Sequence, residues 1–407
     1  MRRIPELDGV RGIAISLVIV WHYFNCQLYS AEARSQVTEL LRLTSWSWSG
    51  VDLFFVLSGF LIGGIIIDNC DSKNFLAVFY TRRALRIIPV YSLMLVSFFA
   101  LRSTLNPTRY AWLFAGNVPD WSYLTCTQNI VMAITKSFGG NFLGITWSLG
   151  IEEQFYLVVP FLAFVLPRKH WISVAILLTV AAPILRSIFD NFFVPFLLTP
   201  CRMDALFIGA LGAGMVRNLQ IRRYLSENRW VLRFSLLALA IPVGRMVWQE
   251  QARPGTVLNH TLFASFYLVL VLIAVFESGD SFVSILRMPI LRFLGLISYS
   301  LYLFHQPVTG LLHGRILHTI PSLETHSGRW VTLLSLVVAL SLAAFSYFFI
   351  ERYFLKLGRS KSYQRNTERA ATQSIEVNTT PALLEPTNSL DPIQPDNHPQ
   401  AALRTII

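Results

Sequence analysis

Charged residues are scarce in this 407-residue chain. Asp, Glu, Lys and Arg make up 14% of it, against about 25% in an ordinary soluble protein, while 54% of the chain is hydrophobic and the mean hydropathy is +0.51. The deficit argues against a soluble globular protein and predicts a membrane protein. The formal net charge of +11 could indicate a nucleic acid, but the basic residues lie between apolar runs, as the positive-inside rule requires. We therefore expect a lipid bilayer, and no nucleic acid, as a partner.

Cysteine is also scarce. Cys26, Cys70, Cys126 and Cys201 lie far apart and form no CxxC pair. This spacing gives neither a metal signature nor a disulfide framework, so we expect no metal cofactor. A small-residue cleavage site is missing after the basic start and the first apolar run, which favours a signal anchor over a cleaved signal peptide.

Long apolar runs are what the sequence has in abundance. Ten of them are near the ~20 residues that cross a bilayer as a helix, and they predict an all-α, polytopic membrane helix bundle of about ten transmembrane helices. The runs are 10–29, 50–68, 88–105, 146–166, 171–189, 203–219, 230–249, 258–277, 293–313 and 330–351. Two further runs are ambiguous and could be re-entrant, because 121–135 is polar and 192–198 is short.

The basic residues also predict an orientation. If the N-terminus is cytoplasmic and ten helices alternate, 21 of the 34 Lys and Arg residues fall on the cytoplasmic side and 11 on the other. This excess predicts that both termini are cytoplasmic. From about residue 358 the chain is rich in Pro, Asn and Thr and has no helical period. We therefore divide it into a membrane domain, 1–357, and a disordered cytoplasmic tail, 358–407.

The first apolar helix carries a cation at one end and an imidazole at the other, in the stretch LDGVRGIAISLVIVWHY. Arg11 and His22 are eleven residues apart, which is three helical turns plus roughly 20°, so they share a face about 16 Å apart along the axis. Lipid offers neither side chain a partner, and ionisable residues at this depth are functional by default. The alternative is that Arg11 snorkels and His22 bridges to a neighbouring helix.

The second predicted helix, in SGVDLFFVLSGFLIGG, opens with Asp52 near the level of His22. A carboxylate there could hold the imidazole in one tautomer, although capping of its own helix explains the acid equally well. The small residues that follow, Ser58, Gly59, Gly63 and Gly64, would admit a ligand or, more commonly, a second helix.

Three arginines cluster in the next loop, FYTRRALRIIPVY. Arg82, Arg83 and Arg86 lie on one helical turn beside aromatic residues, a combination that suits phosphate recognition. Ordinary positive-inside topology is the alternative, and for Arg82 we prefer it.

Further polar residues interrupt later spans. Glu152 and Glu153 begin a span and point about 100° apart, so at least one should face the bundle. It could bind a sugar hydroxyl or assist proton transfer, although acids at a helix N-terminus also have a structural explanation. Tyr299, Tyr302 and His305 share one broad face of another span, where a buried structural histidine is again the alternative.

In this order the motifs resemble the acyltransferase-3 family of integral membrane acyltransferases. The matching pieces extend from residue 7 to about 305 and are LDGVRG with the Arg11-to-His22 spacing, VDLFFVLSGFLI, FYTRRALRIIP, WSLGIEEQFYLVVP, CRMDALFIGAL and ISYSLYLFH. The tail after 358 lies outside the resemblance. Some sugar-modifying members carry a fused extracytoplasmic hydrolase-like domain, and we expect the type without it.

The resemblance implies an O-acyltransferase of a bacterial inner membrane. Such proteins move an acyl group, usually acetyl, from cytoplasmic acyl-CoA to a hydroxyl of a glycan or another small acceptor, often on the extracytoplasmic side. The family's essential histidine maps onto His22, its arginine onto Arg11 and its RxxR element onto Arg83 and Arg86. His22 would then act as a general base that Asp52 orients, or would itself carry the acyl group.

These arguments define the expected sites. The catalytic candidates are His22, Asp52 and Glu152; the acetyl-CoA candidates are Arg11, Arg83 and Arg86; the acceptor candidates are Glu153, Tyr302 and His305. The rival interpretation is a transporter of a small anionic or sugar substrate. Ten spans with polar residues near the midplane suit that class, but we find no internal repeat, which transporters often have.

Overall fold

The computed structural model describes residues 4–249 and 257–364, and within these ranges the fold is all-α. Ten long helices coincide with the ten predicted spans. They are α1 (Pro5–Tyr23), α2 (Gly50–Asn69), α3 (Phe75–Thr104), α4 (Trp147–Val165), α5 (Trp171–Ile188), α6 (Thr199–Arg217), α7 (Arg229–Trp248), α8 (Asn259–Phe276), α9 (Pro289–Ile316) and α10 (His326–Ser346). We call the end of the bundle where α1 begins the N-terminal face, and the other end the opposite face.

Nine of the ten, within the described part of the chain, are long and apolar enough to cross a membrane. The exception is α9, which at 28 residues has ample length but is interrupted by polar side chains. Several of these, including Ser300, His305 and His313, are fully buried. The polarity of α9 therefore reflects side chains turned into the bundle rather than toward lipid, as expected for intramembrane polar groups.

Helices α2 and α6 approach each other so closely that glycine is required at the contact. A Cβ on Gly59 would lie 1.8 Å from the carbonyl oxygen of Leu206, and a Cβ on Gly209 would lie 2.1 Å from that of Val56. Such small-residue interfaces replace the hydrophobic driving force that is missing between helices in lipid. The expectation that these small residues serve helix packing is confirmed at Gly59.

Helix α1 lies in the interior of the bundle. It packs against α9, α2 and α8, and its approach to α9 also depends on glycine, since a Cβ on Gly295 would lie 1.9 Å from the Asp8 carbonyl oxygen. By contrast, α5, α7 and α10 expose large apolar side chains such as Leu177, Phe234 and Phe345. These outer helices form the surface expected to face lipid, and α1 is sheltered from it.

The two ambiguous runs form short helices. Asp120–Leu124 and Gln128–Thr135 arise from the first run and Phe193–Leu197 from the second. At five to eight residues none is long enough to span a bilayer.

The last described segment folds back on the N-terminal face. After α10 a π-helical turn, Tyr347–Glu351, leads into a helix that ends at Ser360, so the predicted tail boundary at 358 falls inside this helix. Arg82 donates to the Lys361 carbonyl and lies over the Tyr363 ring at 4.8 Å. Arg82 thus has a structural contact of its own. Residues 365–407 of the predicted tail lie outside the described residues.

Candidate active site

Two cavities lie inside the bundle and share part of their walls. The first, the arginine cavity, is lined by Arg11, Arg83 and Arg86 and encloses about 860 Å³, including its open mouth. The second, the aromatic cavity, is lined by His22 and encloses about 1310 Å³, again including its mouth. The face that Arg11 and His22 share on α1 therefore contributes one side chain to each cavity.

The arginine cavity is electropositive. Of the described residues that line it, three are arginines and Glu152 is the one acid, which leaves two positive charges in excess. Arg11 is held by Asp8, whose carboxylate lies 2.9 Å from its Nη1. Two of the three guanidiniums come from one turn of α3, because Arg83 and Arg86 are three residues apart on that helix. The arrangement suits a ligand with several negative charges.

Arg83 has an unused donor at this site. Its Nε is buried without a hydrogen-bond partner in the described part of the chain, and its guanidinium lies 5.6 Å from the Tyr156 ring centre. Ser58 and Tyr156 are joined by a hydrogen bond of 2.5 Å, and the Tyr156 hydroxyl donates to Glu152 at 3.0 Å. Buried donors are rarely left unpaired, so the orphaned Nε indicates a ligand with an acceptor atom.

The aromatic cavity has no charged side chain among its described lining residues. Four tryptophans, three phenylalanines and three tyrosines make up half of its described lining residues, with neutral polar groups among the others. The aromatic residues are Trp21, Trp48, Trp112, Trp147, Phe138, Phe192, Phe196, Tyr23, Tyr29 and Tyr302. Near the lining residue Tyr29, the Glu324 carboxylate accepts hydrogen bonds from two backbone N–H groups, that of Ser30 at 2.5 Å and that of Tyr29 at 2.8 Å. These bonds lower the pKa of Glu324.

The His22 imidazole is held by its own helix. Its Nδ1 lies 2.9 Å from the carbonyl oxygen of Val18, so in the neutral ring Nδ1 carries the proton and Nε2 carries the lone pair. The ring of His305 lies 4.9 Å away, centre to centre. His305 in turn donates through Nδ1 to the Tyr302 carbonyl at 2.7 Å and is fully buried, and it lines neither cavity. His305 therefore contacts His22 without being part of the described lining of either cavity, and its role at the acceptor stays a prediction.

Tyr302 lies between the two cavities and lines both, as does Val51. Its hydroxyl donates to the Ile145 carbonyl at 2.8 Å and accepts from Ser148 at 2.6 Å. These bonds hold the phenol ring in place as a partition between the arginines and His22.

Asp52 does not orient His22, contrary to the expectation from sequence. One carboxylate oxygen accepts from Arg202 at 2.6 Å, and the other lies 3.3 Å from Nδ1 of His260. All three side chains are fully or almost fully buried. Its partners come from α6 and α8, and the His22 tautomer is fixed by Val18.

This buried charge cluster, Asp52 with Arg202 and His260, was missed by the sequence analysis. A second buried pair, Arg186 with Asp204 at 2.8 Å, is adjacent, because Asp204 lies two residues after Arg202 on α6. A signal was available, because Arg202 and Asp204 stand in the quoted motif CRMDALFIGAL and His260 opens an apolar run. Ionisable residues inside apolar spans need partners of opposite charge or hydrogen-bonding groups, so Arg202 and His260 could have been proposed as partners of Asp52.

The two adjacent glutamates have different surroundings. Glu152 lines the arginine cavity, so it lies near the expected anionic ligand rather than at the far-side acceptor site. Glu153 lines neither cavity, and its Oε1 is buried without a partner among the described residues. Glu153 is therefore not part of the described lining of either cavity, and its contact with the acceptor stays a prediction.

Known proteins similar to this chain are named as acetyltransferases. It is 27% identical over 396 residues to the peptidoglycan O-acetyltransferase OatA of Listeria monocytogenes, covering 87% of this chain and 56% of OatA. It is 28% identical over 380 residues to YrhL of Bacillus subtilis, provisionally named a peptidoglycan O-acetyltransferase, covering 86% and 55%. The chain thus spans little more than half the length of these relatives. No solved structure matches it.

The acyltransferase-3 family, described as an acyltransferase domain, matches residues 4–349. This range includes all ten long helices, both cavities and the buried charge cluster. A match over this much of the chain establishes that the protein belongs to the acyltransferase-3 family of membrane acyltransferases.

Proposed function

We propose that this protein is an O-acetyltransferase of a bacterial cell membrane that uses acetyl-CoA from the cytoplasm. The acceptor is a hydroxyl of a carbohydrate or a similar molecule, reached from the opposite face. The observation that carries the proposal is the pair of adjoining cavities, one with excess positive charge and one containing His22, with Tyr302 shared between them. The names of the relatives support the acetyl group.

The donor fits the arginine cavity on chemical grounds. CoA carries several phosphates, and Arg11, Arg83 and Arg86 offer guanidiniums that bind phosphate through charge-assisted hydrogen bonds. The unpartnered Nε of Arg83 supplies a donor that the folded chain does not use. This assignment makes the N-terminal face the cytoplasmic one, in agreement with the charge asymmetry of the sequence. The long pantetheine arm would then pass Tyr302 to bring the thioester to His22.

The chemistry follows from the His22 tautomer. With Nδ1 donating to Val18, the Nε2 lone pair accepts the proton of the acceptor hydroxyl, and the resulting oxygen attacks the thioester carbonyl carbon. The carbon–sulfur bond breaks, the thiolate leaves with its electron pair, and the His22 imidazolium returns the proton to sulfur. A variant passes the acetyl group through His22 as a covalent intermediate, which labelled acetyl-CoA without an acceptor would trap.

The test uses the purified full chain in lipid nanodiscs with acetyl-CoA and a mixture of glycans, and mass spectrometry of CoA and acetylated product. His22→Gln should lower product formation by roughly 10²–10⁴-fold, the range for loss of a general base. The matched control is His170→Gln, because His170 is an exposed histidine outside both cavities. Equal activity in wild type and His22→Gln, or substrate flux without CoA release, would reject the proposal.

A further inference from the structure

The lining of the aromatic cavity indicates which acceptors it can take. Every described residue that lines it is uncharged at neutral pH apart from the titratable His22, whereas the arginine cavity beyond Tyr302 holds three cations and one anion. We propose that the aromatic cavity binds a neutral pyranose ring and discriminates against acceptors that carry a carboxylate or phosphate on the same ring. This inference rests on the proposed function and narrows it to a substrate class.

Burying a charged group in this cavity would cost binding free energy. An anion that leaves water must gain a cation or several donors, or binding is lost. The cations behind the wall are already paired: Arg202, which lies 5.3 Å from the Phe196 ring centre, is bound to Asp52, and Arg186 is bound to Asp204. Arg34 of the outer loop lies near the lining residue Cys26 and bonds to the Leu28 carbonyl, but it is not itself a lining residue. None of the described residues that line the cavity is therefore a cation that could pair with a charged acceptor.

The aromatic side chains of the wall also suit a sugar. Trp48, Trp112 and Trp147 line the cavity, and an aromatic ring has negative charge density above its face, which attracts the slightly positive C–H groups of a sugar. Trp147 is held by Phe196, 4.5 Å away between ring centres. Rigid faces of this kind bind a flat ligand with little loss of side-chain entropy.

Neutral hydrogen-bonding groups lie between the aromatic rings of the cavity. The side-chain amide of Gln306 has no hydrogen-bond partner among the described residues and lines the cavity one position after His305. Asn141 donates its amide N–H to the Trp112 carbonyl, which leaves its Oδ1 for a ligand. A ring with apolar faces and a rim of hydroxyls uses both kinds of surface, whereas a purely apolar alcohol would leave these amides unpaired.

The experiment compares matched acceptors with the full chain in nanodiscs and saturating acetyl-CoA. The pairs are methyl glucuronamide with methyl glucuronide and methyl galacturonamide with methyl galacturonide; the two members of each pair have the same hydroxyls and differ only in a neutral amide or a carboxylate at C6. We expect kcat/KM for the neutral member to exceed that for the anionic one by at least about tenfold, the effect of one uncompensated charged group. Equal use of both members, preference for the uronides, or preference for 2-phenylethanol over every neutral glycoside would overturn the inference.

Two variants make the test specific to the cavity. Gln306→Lys adds a cation and should narrow the neutral-to-anionic ratio by about tenfold relative to Gln306→Met, which has similar length and no charge. Trp112→Ala should raise the acceptor KM and leave the acetyl-CoA KM unchanged, with Trp330→Ala, an exposed residue of α10, as the control. If Gln306→Lys and Gln306→Met gave the same ratio, the charge argument would fail.

Failure of this inference can be distinguished from failure of the proposed function. If acetyl-CoA is turned over in a His22-dependent reaction but only with anionic acceptors, the function stands and the acceptor assignment is wrong. If no acceptor supports His22-dependent CoA release, the proposed function itself is wrong.

Discussion

The most discriminating prediction concerns Asp52, because the sequence and the structure give it different roles. Two ion pairs join α2 to α6: Asp52 with Arg202, and Asp68 with Arg217, each at 2.6 Å. In the first pair the side chains are 0% and 1% exposed; in the second they are 38% and 15% exposed. The substitutions Asp52→Asn and Asp68→Asn therefore make the same chemical change between the same helices at different burial.

The expected loss of stability differs between the two sites. Removing one partner of a buried pair leaves an uncompensated charge and costs about 3–5 kcal/mol. Removing one partner of a partly exposed pair costs at most about 1 kcal/mol, because water replaces the lost interaction. At roughly 2–4 °C per kcal/mol, we expect Asp52→Asn to lower the Tm by about 6–20 °C and Asp68→Asn by about 4 °C or less.

The assay is thermal unfolding in detergent with a thiol-reactive fluorophore. Cys201 is fully buried next to Arg202, so it becomes reactive only when this part of the bundle opens. Cys26 is exposed, Cys126 is partly exposed and Cys70 is a second buried thiol, so all three should be changed to serine in every sample to leave Cys201 as the reporter.

A catalytic role for Asp52 would give a different pattern. If Asp52→Asn melted like Asp68→Asn but lowered kcat strongly, Asp52 would act on the chemistry, as the sequence first indicated. If the structural role is correct, the double variant Asp52→Leu/Arg202→Met should recover much of the lost stability, because it removes both charges together.

Two further predictions test the donor path. Arg83→Ala should raise the KM for acetyl-CoA about tenfold or more, because it removes a charge-assisted bond to phosphate, and should change kcat less. The control is Arg82→Ala, which should leave this KM unchanged because the Arg82 guanidinium contacts Lys361 and Tyr363. An unchanged KM in Arg83→Ala would remove this residue from the donor site. Tyr302→Ala should raise acceptor-independent hydrolysis of acetyl-CoA by opening the partition to water, whereas Tyr302→Phe keeps the ring and should hydrolyse like the wild type. Equal hydrolysis by both Tyr302 variants would show that the ring is not a barrier.

The helices were predictable because their signals are local. A run of about twenty apolar residues must be helical in lipid whatever its neighbours are, and all ten runs coincide with long helices. The shared face of Arg11 and His22 is equally local, since eleven residues fix the rotation. The contact of Arg82 with Lys361 was not foreseen, because it joins residues 279 apart along the chain.

The sequence could not predict which helices meet. The partners of Asp52 come from other helices, and Arg202 is 150 residues away along the chain. Glu152 and Glu153 could be separated only by the rotation of their helix against the arginine cavity. The roles of Glu153 and His305 at the acceptor stay predictions, because the neighbours of a helix face do not follow from its own sequence.

The sequence alone determined that the chain is a membrane bundle, that a guanidinium and an imidazole share one face of its first helix, and that further arginines lie near that helix's start. These properties depend on composition and on the helical repeat, which each segment carries within itself. Contacts between helices set the rest: this face serves two adjoining cavities, Tyr302 lies between them and Asp52 belongs to a buried charge cluster. Close helix contacts at positions such as Gly59 and Gly295 decide these pairings, because in lipid helices associate by shape and polar pairing rather than by hydrophobicity.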